Sequence, residues 1–473
     1  MIPPATTGGP GPLASKANGL GEQGSSPAGP APDRDTDATR EFRDDLLRRT
    51  VAWCSERSAF YRERFAGVAG SFRGLEDLPR LPVLTRDEVA AHERELLCEP
   101  VQPACIQYTT GTTGTPLHLF RSPAEIAFIG KFYGEQVRER LATGEARPLH
   151  LSLTSAYHGQ PTPVPAWAYA VFAGIYDRTQ AQQARSLLER EFELPGIEPR
   201  ITAVVGGDIL VKSLTAYLFA AGVDPAALPV HTLVITGGYV SRARKRLLGD
   251  LWQARVQDRF SLSEVFGGAL ECGLGGPWIF DTEVVPEVVH PRTLEPIDRG
   301  IGALVMTGLY PFMQMMPLVR YLTGDLVEVA GHPDRGDPDL LVRFLGRARR
   351  SIVDAGGPEV VPLLLSSPLH DIVEGFPDVA ATSRFADLGA GPHLELAGKL
   401  HYEVSSGPGT IDLRLGLRYP PWHYPERVTE LITRLRQQLY RRFPELAERV
   451  QRGELALRVS AAPAAEVTPF NAK

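Results

Sequence analysis

The stretch Tyr108-Thr109-Thr110-Gly111-Thr112-Thr113-Gly114-Thr115-Pro116 carries five threonines and two glycines between two strand-like segments. Glycine lets the backbone turn tightly and aim successive N–H groups at an anion, and threonine hydroxyls add further donors. Such a loop suits phosphate, with one hydroxyl available to face a metal. The alternative is a polar hairpin. It is not a Walker loop, because no Gly-Lys-Ser/Thr follows.

Outward from this loop, short apolar runs read as strands: Leu149–Leu153, Ile201–Val205, Leu233–Ile235, Val284–Val289 and Ala303–Met306. Helical patterns separate several of them, at Gln180–Phe192, Leu210–Ala221 and Ser241–Trp252. Strands alternating with helices predict an α/β fold with mixed and substantially parallel sheets. Upstream, Glu41 to Phe65 has helical spacing and Asp87 to Leu97 reads as another helix. Residues 1–38 are rich in Gly, Pro, Ala, Ser and Asp and are expected to form a disordered tail. A large domain is expected over 39–346. A smaller, mobile α+β lid follows over 347–473: Ile411, Leu413, Leu415 and Leu417 alternate as in a strand, and Val428, Leu431, Ile432, Leu435 and Leu439 mark one face of a helix opened by Pro425.

Composition narrows the class. Of 473 residues, 43% are apolar and 22% charged, and the net charge of −6 comes without a basic run, which argues against a nucleic-acid surface. The mostly apolar stretch from Val164 to Tyr176 is too short to span a bilayer and contains Pro165. The N-terminus lacks the basic and apolar regions of a signal peptide, so the cytoplasm is the expected location. Four cysteines with no metal-binding spacing exclude a disulfide scaffold, and the lone Cys272 suggests no structural metal.

Three further segments bear chemistry. Asp258-Arg259-Phe260-Ser261-Leu262-Ser263-Glu264, with Gly267 and Gly268 after it, sets a carboxylate beside a glycine-rich turn. That suits Mg²⁺, which takes one or two carboxylates plus substrate phosphates; the alternative is a surface Glu. Asp325, in Tyr321-Leu322-Thr323-Gly324-Asp325, stands at a strand start after a Gly turn and suits two ribose hydroxyls; the alternative is a turn aspartate bonded to its own backbone. Arg347 follows Gly346 and suits phosphate or ribose; the alternative is a solvated surface Arg.

In this order the motifs resemble the adenylate-forming superfamily, and more narrowly its phenylacetate–coenzyme A ligase branch. Ser58–Phe65 (SAFYRERF) and Leu75–Thr85 (LEDLPRLPVLT) resemble that branch's N-terminal segment, and Phe280–Pro291 (FDTEVVPEVVHP) its following strand pair. The resemblance implies that a carboxylate, aryl or small acyl, attacks the α-phosphate of ATP with Mg²⁺ present, and that coenzyme A then displaces AMP. A carrier-protein thiol or an amine is the alternative acceptor, and a non-catalytic nucleotide-binding member the alternative class. No nucleic acid or membrane partner is implied; a homodimer is.

By the same resemblance, Thr109, Thr110, Gly111, Thr112, Thr113 and Gly114 cradle the β- and γ-phosphates. Glu264 binds Mg²⁺, with Ser261 and Ser263 close to the nucleotide. Gly237, Gly238 and Tyr239 (of GGYVS) line the adenine with Phe260 on the base, Asp325 holds the ribose and Arg347 reaches ribose or phosphate. Tyr157, His158, Gly206 and Gly267 line the acyl pocket, and Gly357–Pro362 is the loop presented in the thiol step. The chain departs from the family pattern as well. Thr115 stands where the loop usually carries Lys, Ala348-Arg349-Arg350 follow the hinge Gly-Arg, and Glu359 and Ser366 replace the loop's Asn and downstream Glu. The catalytic lysine of the small domain has its candidate in the last residue, Lys473.

Overall fold

The computed structural model describes residues 36–98, 102–109, 116–141, 146–154, 168–331, 340–383, 385 and 388–470. Its first apolar-periodic region is two helices rather than one, α1 (Thr36–Arg57) and α2 (Ala59–Arg64). Ser58 divides them: its backbone is extended and its hydroxyl caps α2 by accepting the Tyr61 N–H. The next helix is shorter than its apolar spacing suggests. α3 (Arg86–Ala91) is opened by a capping box in which Thr85 and Glu88 satisfy each other's backbone N–H groups, and it ends at His92.

β1 (Cys105–Tyr108) and β2 (His118–Arg121) then pair antiparallel with Tyr108 opposite His118, so the Thr/Gly stretch connects a hairpin. α4 (Pro123–Leu141) leads into the alternating region: β3 (Arg147–Leu153), β4 (Tyr169–Ala173), α5 (Arg178–Glu189), β5 (Ile197–Gly207), α6 (Asp208–Ala220), β6 (Thr232–Thr236), α7 (Arg242–Trp252) and β7 (Arg255–Ser261). β7, β6, β5, β3 and β4 lie side by side in that order, all parallel. Leu149, Leu151, Val204, Leu233 and Ile235 are buried here, as expected where helices cover a parallel sheet. β8 (Gly268–Glu271), β9 (Trp278–Phe280), β10 (Val284–Val289), β11 (Gly300–Gly308), β12 (Tyr321–Gly331) and β13 (Leu341–Arg347) extend it antiparallel into one 11-stranded sheet. The change from parallel to antiparallel falls between β7 and β8.

Past Arg347 come a hairpin of β14 (Ile352–Asp354) and β15 (Val361–Leu364), then α8 (Ser366–Glu374). A short pair of β16 (Ala381–Thr382) and β17 (Lys399–Leu400) precedes a three-stranded sheet of β18 (Tyr402–Gly407), β19 (Thr410–Leu417) and β20 (Ala456–Pro463). α9 (Pro425–Arg442) and α10 (Pro444–Gln451) lie between the last two strands. Leu431, Leu435 and Leu439 of α9 join Leu413 and Leu415 in a core that also takes in Leu326 of β12 and Leu345 of β13. Residues Phe385, Leu388 and Ala390 instead join the core built on α6 and the parallel strands, which ties this unit to the large sheet. Among the described residues no helix is long and apolar enough to cross a membrane.

Candidate active site

Three of the motifs meet at the carboxyl ends of the parallel strands, where open α/β sheets bind ligands. Gly206 and Gly207 end β5, Gly237-Gly238-Tyr239 follow β6, and Leu262 to Gly267 follow β7 at the switch to antiparallel pairing. Two glycines are required by their surroundings. Gly267 has φ +101°, and a Cβ there would stand 3.1 Å from Val284. At Gly206 a Cβ would meet Leu153 at 2.8 Å.

Glu264 is buried, and Tyr321 of β12 donates to its Oε1 at 3.2 Å. Burial, then the Glu264 charge, push the Tyr321 phenol well up, so it stays a donor. The side chain of Arg86, the first residue of α3, lies 3.7 Å from the same carboxylate oxygen. Arg86 also donates to Thr109 Oγ1 at 3.0 Å, and it is within hydrogen-bonding reach of Tyr321. Thr109 holds the mouth of the hairpin closed: its N–H donates to the Leu117 carbonyl and its hydroxyl accepts the Leu117 N–H, each at 3.1 Å. Sequence reasoning missed Arg86. The signal available was Thr85 as a helix cap directly before it.

Asp325 and Arg347 face each other across β12 and β13. Arg347 Nη1 donates to Asp325 Oδ2 at 3.2 Å and to the Thr323 carbonyl at 2.7 Å. Burial raises the Asp325 pKa, and Arg347 and Thr323 oppose the rise without cancelling it. The expected Gly turn before Asp325 is instead a bulge inside β12. Ala303 pairs with Leu326 and Val305 with Leu322, so Thr323, Gly324 and Asp325 stand opposite Leu304 alone. Gly324 makes this cheap, with φ +79°. Arg349 lies close by, its pKa lowered by burial and then by the charges of Arg347 and Arg86.

The C-terminal unit touches the segment after β6. Tyr239 donates to Asp371 of α8 at 2.7 Å. Arg244 donates to Glu374 Oε1 through Nε at 3.0 Å and Nη2 at 2.7 Å, and Ser241 donates to the other carboxylate oxygen. At the far end, Phe470 stacks on Tyr402 with ring centres 4.2 Å apart, and the Arg350 guanidinium sits 4.6 Å from its centre. His370 bridges Phe470 and Tyr239, at 6.0 and 5.9 Å. Gly357–Pro362 is on another side, where Gly356 accepts from Arg292 and Glu359 lies 4.0 Å from Arg299.

Thr110 to Thr115, Tyr157, His158 and Lys473 lie outside the described residues. Phe260 stacks on Phe344 at 4.3 Å, a contact that the reading of its ring as a platform for the base did not foresee. Ser261 is exposed, and the Ser263 carbonyl accepts from Arg121 at 3.4 Å. The donor set fits Mg²⁺ carried on a nucleotide rather than caged by protein. Glu264 supplies one carboxylate, and the described residues hold no cluster of three His, Cys, Asp or Glu fit for a metal. Beside Gly238, Asp208 pairs with Lys212 through Oδ2 and leaves Oδ1 buried without a partner.

No family model matches the chain. It is 29% identical over 308 residues to a phenylacetate-coenzyme A ligase of Thermus thermophilus, a match covering 61% of this chain and 65% of that protein's length. Solved structures of 2-hydroxyisobutyryl-CoA ligase share its fold. One in the postadenylation state with 2-HIB-AMP has a TM-score of 0.60 at 14% identity, covering 93% of this chain and 88% of that one. An open form with 2-HIB-AMP and CoA has a TM-score of 0.58 at 16% identity, covering 93% and 90%. The chain thus shares the fold of these ligases, and its sequence is similar to the phenylacetate-coenzyme A ligase over a stretch that spans just under two thirds of that relative's length.

Proposed function

We propose that the chain is an AMP-forming acid–thiol ligase. It joins a carboxylic acid, aryl or small acyl, to the α-phosphorus of ATP, and the bond to the bridging oxygen breaks to release pyrophosphate. A thiol, coenzyme A in the first instance, then attacks the acyl carbonyl and AMP leaves. The observation that carries this reading is the meeting of Thr109, Glu264, Asp325 and Arg347, from four separate segments, around the carboxyl ends of the parallel strands. Asp325 accepts from the ribose hydroxyls, with Arg347 holding its carboxylate in place. The unpartnered Asp208 oxygen offers an acceptor beside Gly238 to an exocyclic amine. Glu264 would hold magnesium, which when bound offsets the repulsion between an anionic acid and a polyphosphate.

The C-terminal unit turns its Phe470 end, rather than the Gly357–Pro362 loop, toward Tyr239. Lys473, which lies outside the described residues, is carried as the candidate lysine of the first half-reaction. The acceptor is tested by AMP release with an acid, Mg²⁺ and ATP, with and without coenzyme A. Turnover that requires coenzyme A and is lost in Glu264→Gln supports the reading; turnover that coenzyme A does not support but an added amine or carrier-protein thiol does would direct the acyl group to that acceptor instead. We read the enzyme as cytoplasmic and homodimeric, the latter checked by light scattering.

A further inference from the structure

Resting on that reading, we infer that Arg86 is the phosphate-neutralising cation of the first half-reaction, filling the part left open by Thr115, and that it is the counter-ion of Glu264 in the nucleotide-free enzyme. The placement of Arg86 is built rather than incidental. The Leu84 N–H donates to the Arg320 carbonyl at 2.8 Å and the Leu322 N–H to the Leu84 carbonyl at 2.9 Å, which stitches the segment before α3 to β12. The Thr85–Glu88 capping box fixes the start of the helix, and Arg64 clamps Glu88 at 2.8 Å. The side chain that leaves this anchored point reaches both the first residue of the Thr/Gly loop and the candidate magnesium carboxylate, and stays 30% exposed.

Charge balance points the same way. Arg86, Arg347 and Arg349 crowd one region that contains the carboxylates Glu264 and Asp325. Guanidinium charges gathered in a partly desolvated place disfavour one another, as the lowered Arg349 pKa shows, and an incoming polyphosphate relieves that repulsion. A guanidinium also offers several donors in a fixed plane, so one group bonds a phosphate oxygen and a threonine hydroxyl at once.

The test is pyrophosphate binding by titration calorimetry in EDTA, on the full chain, with acid-dependent exchange measured beside it. Arg86→Gln is expected to weaken metal-free pyrophosphate binding about tenfold or more, and Arg86→Lys to hold it within about threefold. Glu264→Gln is expected to strengthen it roughly threefold to tenfold, because Arg86 loses its counter-ion, and the double variant should bind as Arg86→Gln does. A merely structural Arg86 would move the melting temperature and not this pattern. Wild-type binding retained in Arg86→Gln overturns the inference while leaving the ligase reading intact. If that variant does not fold, Glu264→Gln decides, and no gain in affinity overturns the inference. A wild-type chain that neither binds pyrophosphate nor exchanges it overturns both.

Discussion

Replacing Glu374 by alanine should release α8 from the segment that follows β6. Glu374 accepts three hydrogen bonds there, two from Arg244 and one from Ser241, and the Arg244 and Glu374 side chains are only 19% and 15% exposed. Burial alone would raise the Glu374 pKa, yet Arg244 and the Ser241 hydroxyl hold it below the usual range, so the ionised form is the bound one. Exposed pairs contribute at most about 1 kcal/mol and breaking a buried one costs about 3–5, so this pair should contribute about 2–3 kcal/mol to docking. At 1.36 kcal/mol per decade, that is a roughly 30- to 150-fold loss in the docking equilibrium. The assay is deuterium uptake by peptides covering 237–244 and 366–374, for Arg244→Ala, Glu374→Ala and the double variant. Both single variants should raise uptake, and the double variant little more. Uptake equal to wild type in Glu374→Ala, or effects of the two singles that simply add, would refute the latch.

Lys245 is buried with Nζ 2.8 Å from both Asp258 and Glu271, so Lys245→Met, which strands two buried carboxylates, should cost about 3–5 kcal/mol by denaturant titration. Burial lifts Asp258 to a pKa of about 6, against Lys245. A folded-state pKa above the unfolded one means the folded chain binds the extra proton, so this group lowers stability as pH rises from about 4 to about 6, by about 3 kcal/mol in all. Asp258→Asn should remove that part of the pH profile. Gly267→Ala, at φ +101° with Val284 3.1 Å away, should destabilise by roughly 1–3 kcal/mol and weaken Mg·ATP binding through the neighbouring Glu264 turn.

Three of the five parallel strands, β3, β5 and β6, were legible as short apolar runs between helical patterns, whereas β4 (YAVFA) and the polar β7 (RVQDRFS) were not read as strands. β5 and β6 stand where Ile201–Val205 and Leu233–Ile235 announced them. Helix ends were less legible. The periodicity of Glu41–Phe65 runs on through Ser58, because capping leaves apolar spacing unchanged. The bulge at Gly324 reads as a turn, since a glycine at positive φ serves both and only pairing with β11 tells them apart. The candidate nucleotide residues were legible as loops of unusual composition. Arg86 was not, because its partners Thr109, Glu264 and Tyr321 come from distant segments that only the fold brings together.

Carboxylate-dependent ATP–pyrophosphate exchange over a panel of aryl and alkyl acids tests the first half-reaction most directly. Exchange should appear with at least one acid, require Mg²⁺ and vanish in Glu264→Gln. Tight Mg·ATP binding with no exchange for any acid would contradict adenylation, and no ATP binding at all would contradict the nucleotide site itself.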